Sequence, residues 1–132
     1  MTTELDDVDL TSIAEKQTEH YVRAFNSGDA EAVNALYTED AVTVWEPGNP
    51  VSGPERKDQL VRFLAHKPVM SARVRHAYVT GDTALQVVDW TIDVTDQDGN
   101  QENLSGVGLD VLVRNTDGNW RYAVDNPFGE NS

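Results

Sequence analysis

The sequence predicts an α+β domain in which three N-terminal helices pack on a curved, mainly antiparallel sheet. Two observations carry this. Apolar residues recur at three- and four-residue steps over the first half of the chain and at steps of two over most of the second. The turn signals that divide the second half, Gly81-Asp82, Asp98-Gly99-Asn100 and Asp117-Gly118-Asn119, are of the kind that join neighbouring antiparallel strands. Helices followed by a meander of long strands is an α+β order. Three helices against one strongly curved sheet would enclose a conical cavity.

Taken in order, residues 1–7 read as a flexible acidic tail, and 8–132 as a single domain. Leu10, Ile13, Ala14, Gln17, Tyr21, Ala24 and Phe25 form the apolar stripe of a first helix. Gly28 can take the left-handed conformation that ends it, and Asp29 can cap a short second helix with Val33, Leu36 and Tyr37 facing in. Ala41 to Trp45 reads as a strand, followed by an irregular loop through Pro47, Gly48, Asn49 and Pro50. Ser52 and Glu55 stand at capping-box spacing before a third helix with Leu60, Phe63 and Leu64 inside and Pro68 as its stop. Strands are expected near 69–79, 83–95, 103–114 and 119–126, with Gly106 and Gly108 as candidates for the bend of the sheet.

Composition excludes several functions. The formal net charge is −13, from 23 acidic and 10 basic residues. Nucleic acid and anionic membrane surfaces both need a basic footprint, so neither is expected as a partner. The 132 residues include no cysteine, which removes thiolate nucleophiles, cysteine zinc sites and disulfides, and fits the cytoplasm. The acidic start MTTELDDVDL does not read as a secretory leader, and no apolar run reaches the length of a membrane span. His20, His66 and His76 show no metal-ligand spacing, so no metal is expected. There is no GxSxG elbow, P-loop or GxGxxG.

Three segments, HYVRAFNSGDAEAVNALYTEDAV, the PVSG entry to the third helix and the closing LVRNTDGNWRYAVDNPFG, resemble the nuclear-transport-factor-2-like superfamily. Within it they are most similar to the SnoaL-like and ketosteroid-isomerase-like proteins. The resemblance implies a cone-shaped fold, a homodimer formed through the outer face of the sheet, and no cofactor. It does not choose an activity, because one fold hosts many. A cofactor-independent isomerase or cyclase moving a proton on a small apolar or carbonyl-bearing molecule is one reading. A non-catalytic binding or accessory module is the alternative.

The ketosteroid-isomerase resemblance also implies site residues. Tyr21 matches a tyrosine that stabilises an enolate, and Asp110 a neutral aspartic acid that does the same; the mechanism is a known case of pKa tuning. The general base falls on Trp45 in an ungapped match and on Glu46 after a one-residue shift. If Val42 and Val44 face the cavity, parity turns Glu46 inward with them. Asp110 lies opposite the stripe Val107, Leu109, Val111 and Val113, so simple alternation turns it outward unless a bulge intervenes. Asp125 shares parity with Arg121 and Ala123 and reads as a rim or outer-face residue. Trp45, Trp90 and Trp120 are candidates for the wall of a pocket for a flat apolar molecule. An inward arginine, which epoxide-hydrolase relatives need, has no obvious position.

Overall fold

A computed structural model describes residues 3–96 and 98–129, with side chains from Ala14 onward. Helix α1 (Thr3–Ser27) leads into α2 (Ala30–Asn34), β1 (Tyr37–Glu46), β2 (Asn49–Ser52) and α3 (Gly53–Leu64). Strands β3 (Val69–Thr80), β4 (Thr83–Thr95), β5 (Gln101–Arg114) and β6 (Trp120–Asn126) complete the chain. The six strands form one sheet in the order β2-β1-β6-β5-β4-β3. All neighbours are antiparallel except β1 and β6, which run parallel. The expected α+β architecture is therefore the one observed.

Two helix signals act as expected. Gly28 adopts φ +77°, and the Asp29 side chain accepts hydrogen bonds from Glu31 N at 3.0 Å and Ala32 N at 3.3 Å. Three other expectations need correction. Ser52 caps α3 in an extended conformation but makes no side-chain cap bond, so the capping box does not form. The Pro47–Pro50 loop is a tight hairpin turn leading into β2, and Tyr37 opens β1 rather than closing α2.

The core lies between the helices and the concave face of the sheet. From α1 it takes Ala14, Thr18 and Phe25, spaced four and seven residues apart as a helix requires. From β4 it takes Ala84, Gln86, Val88, Trp90 and Ile92, every second residue. The β4–β5 ladder runs from Thr83–Val113 to Thr95–Gln101 without a register shift. Gly106 and Gly108 therefore do not mark a bulge. They make room: a Cβ on Gly106 would stand 3.0 Å from the Trp90 ring and 3.1 Å from the Pro127 carbonyl oxygen. The chain after β6 crosses the inner side of β5 there, tied by the Trp90 indole N–H donating to Pro127 O at 2.6 Å.

The bends come from irregularities elsewhere. The β3–β4 ladder shifts between Val74 and His76, and the β5–β6 ladder shifts between the pairs Val111–Val124 and Leu112–Tyr122, leaving Ala123 as the extra residue. On the convex face Asp89 takes Arg75 through two side-chain bonds, and His76 stacks on Tyr78 at 5.9 Å. No helix among the described residues is long and apolar enough to cross a membrane.

Candidate functional site

The Ala123 bulge decides what faces the interior. Tyr122 pairs with Leu112 and points inward, where it is buried. Strict alternation would then turn Asp125 outward, as the sequence pattern suggests. The extra residue reverses the parity, and Asp125 pairs with Asp110 on the concave face. Asp110 is inward for its own reason. Its partner on β4 is the buried Gln86, and the pairs Trp90–Gly106, Val88–Gly108 and Ala84–Leu112 share that face. The stripe Val107, Leu109, Val111 and Val113 thus lies on the convex face, the reverse of its reading as the core stripe.

Both aspartates line an interior space of about 50 Å³. Its walls are mostly apolar and include Val22, Trp45, Met70, Val88, Trp90 and Ile92. Burial pushes the Asp110 carboxyl well above the usual carboxylate range, and the neighbouring Asp125 charge adds to this. Asp125 is also raised by burial, but hydrogen bonds from Tyr37 and Asp110 hold its charged form. Burial thus favours the neutral form of Asp110, the hydrogen bonds to Asp125 and the nearby Arg56 charge favour its charged form, and the two titrate as a coupled pair. Asp110 Oδ1 is buried and has no hydrogen-bond partner.

A tyrosine chain leads to Asp125. Tyr37 donates to Asp125 Oδ2 at 2.6 Å, and the Tyr21 and Tyr37 hydroxyls are 2.7 Å apart. A phenol has one proton. Tyr37 gives its proton to Asp125, so the bond between the tyrosines uses the proton of Tyr21. Burial, then the Asp125 charge, raises both phenols well above their ordinary value, which keeps them neutral. Tyr122 stands edge-on to Tyr21 at 5.1 Å and is raised by burial in the same way.

Of the residues expected in the site, Tyr21, Asp110, Trp45 and Trp90 meet at this cavity. Tyr21 does so with its proton already committed to Tyr37. Glu46 does not reach it. Tyr37, Ala41 and Thr43 are the buried positions of β1 and Trp45 follows them inward, so Val42, Val44 and Glu46 take the other face and Glu46 is exposed. The ungapped position, Trp45, is the one at the cavity, packed on Phe63, Trp90 and Phe128. Trp120 lines a separate void with Ala14, Gln17 and Leu112, so it is not part of this wall. Among the described residues no group of histidine and carboxylate side chains could hold a metal ion.

Sequence reasoning also missed an inward arginine. Arg56 is 2 % exposed. Its guanidinium lies 4.4 Å over the Tyr37 ring and donates to Asn34 Oδ1 at 3.1 Å. The signal was available: Arg56, Leu60 and Leu64 are four apart, on one face of α3.

Residues 18–123 match the family model described as the SnoaL-like domain. The chain belongs to that family. The SnoaL-like match spans α1 to the Ala123 bulge and stops just short of Asp125. No curated protein matches the chain. Solved structures share the fold. A conserved protein from Planctomyces limnophilus aligns over 97% of each chain with TM-score 0.76 and 17% identity. A ketosteroid isomerase-like protein from Erwinia carotovora aligns over 87% of this chain and 92% of its own, with TM-score 0.68 and 22% identity. A type 2 hexachlorocyclohexane dehydrochlorinase aligns over 93% and 86%, with TM-score 0.73 and 17% identity. Such likeness establishes the fold, which these proteins use for different ends.

Proposed function

We propose that this SnoaL-like domain binds a small, largely apolar carbonyl compound and moves a proton on it, as an isomerase or cyclase does, with Asp110 and Asp125 acting as one acid–base unit. The observation that carries this is the unpartnered Asp110 Oδ1 at an apolar cavity, backed by a carboxylate whose charged form hydrogen bonds favour. A ligand C–H beside the carbonyl gives its proton to Asp110 Oδ1 while the shared proton passes to Asp125. The electron pair of the C–H bond goes to the carbonyl, forming an enolate. The reverse transfer, to the same or another carbon, restores the pair. Trp45, Trp90 and the aliphatic wall exclude water, which strengthens each electrostatic contact within. The isomerase and dehydrochlorinase names of two fold relatives suit proton removal from carbon, although identity below 25% carries only the fold.

The test is deuterium exchange and double-bond migration in a panel of β,γ-unsaturated ketones followed by NMR. Asp110→Asn keeps a donor towards Asp125 but cannot take a proton, and is expected to lose about 10²–10⁴-fold in rate. Glu46→Gln is expected to leave the rate within about twofold, like other exposed positions. Equal rates in wild type and Asp110→Asn would sink the proposal and leave a binding module.

The convex sheet face is proposed as the surface of a homodimer. Tyr78 and Leu85 are exposed there at 58% and 38%, beside the valine stripe of β5.

A further inference from the structure

A second, smaller void lies between α3 and β1, next to the main cavity. It measures about 20 Å³, room for roughly one water-sized group. Tyr21 and Trp45 line both spaces, so the small one is a side lobe of the main cavity. Its other walls include Tyr37, Phe63, Thr43 and Arg56.

The lobe holds two polar groups with nothing to bond. Thr43, 4 % exposed, has no partner for Oγ1, and Arg56 has none for Nε. Buried donors are paired as a rule, and leaving one unpaired is costly. The arginine is the more unusual. Among the described residues none of the ion pairs includes it; its contacts are the neutral Asn34 amide and the Tyr37 ring face. No carboxylate touches the guanidinium; the Asp125 charge acts on it only from a distance, so its Nε–H is left without a bond.

We infer that the Arg56–Thr43 lobe is a subsite for one anionic oxygen of the ligand, with Arg56 Nε–H and the Thr43 hydroxyl as its donors. This rests on the proposed ligand-binding role of the main cavity and adds what the ligand must carry: an oxygen that is, or becomes, negatively charged. Charge arranges the ligand. Arg56 attracts the anionic oxygen into the lobe, whose lining includes neither aspartate. The C–H to be broken then faces Asp110, and the charge that develops on its loss has donors waiting in a dry site. Thr43 also pairs with Asp125 across the β1–β6 ladder, so one stretch of backbone fixes the spacing between lobe and acid.

4-Nitrophenol tests this, because its absorbance separates phenol from phenolate. Wild-type protein is expected to bind it mainly as the phenolate at a pH where it is mostly neutral in water. Arg56→Met is expected to shift the ionised fraction of bound probe at least tenfold towards the phenol, Thr43→Val two- to fivefold, and Arg56→Lys to restore part of the ionisation. Thr43→Val preserves shape and side-chain volume, so it keeps the test valid if Arg56→Met folds poorly. Binding with the same ionised fraction in wild type and both variants would overturn the inference alone and mark the lobe as a water site. Failure of wild type to bind the probe in either form, while β,γ-unsaturated ketones still exchange, would also overturn it alone. Failure of both would overturn the inference together with the ligand-binding reading.

Discussion

Two strand ends of this sheet each carry a carboxylate, and only one reaches the interior. At the end of β1, alternation is regular from Ala41 through Thr43 to Trp45, and Glu46 falls outside. At the end of β6, the extra residue Ala123 breaks the alternation after Tyr122, and Asp125 turns in beside Asp110. A shift of one residue exchanges the two faces of a strand. The Ala123 bulge thus brings a second acid to the cavity, whereas on β1, whose register against β2 shifts between Thr43 and Glu46, Trp45 lines the cavity and Glu46 stays exposed.

Removing the bulge should erase the contrast. Deleting Ala123 restores alternation, so either Tyr122 or Asp125 must leave the interior. We expect a loss of about 3–5 kcal/mol in chemical denaturation, in the range of severe core defects, together with loss of ketone exchange. A deletion variant with wild-type stability and activity would show that the chain does not depend on that bulge.

A smaller effect separates the buried acid from its stability cost. The folded pKa of Asp110 is raised, so its contribution to stability is present below the unfolded value of about 3.9 and is lost as pH rises through the folded value. Asp110→Asn should therefore be more stable than wild type at pH 7, by about 0.5–2 kcal/mol, the usual gain when a strained functional group is removed. The advantage should shrink as pH falls towards 4. Paired melts of wild type and variant across that range check the sign. Glu46→Gln, on the solvent side of β1, should run parallel to wild type throughout, within about 0.5 kcal/mol.

Much of the fold was legible because it follows from period. The stripe of α1 from Ala14 to Phe25 and the Gly28-Asp29 junction stand as the sequence predicts, while Leu10 and Ile13 lie outside the described side chains. The site was less legible, and the reasons are local. Bulges carry no consistent residue signal, so parity at Asp125 failed, while at Asp110 the apolar stripe of β5 pointed to the wrong face because that strand is apolar on its outer side too. Glu46 failed for the opposite reason: the valines flanking it are β-branched and suit a strand on either face. Arg56 was hidden by its charge, although its helical spacing with Leu60 and Leu64 marked an inner position. The SnoaL-like resemblance rested on turns and order of elements, which fix a cone and leave its lining open.

The central claim is that Asp110 and Asp125 hold one proton between them inside an apolar cavity. Side-chain carboxyl ¹³C shifts of the two aspartates, followed through a pH titration, test it most directly. We predict that Asp110 stays protonated well above the usual carboxylate range, and that Asp125→Asn lowers its midpoint by removing the adjacent charge while burial keeps it raised. Two independent titrations in the ordinary range, with Asp110 indifferent to the Asp125 substitution, would contradict the account.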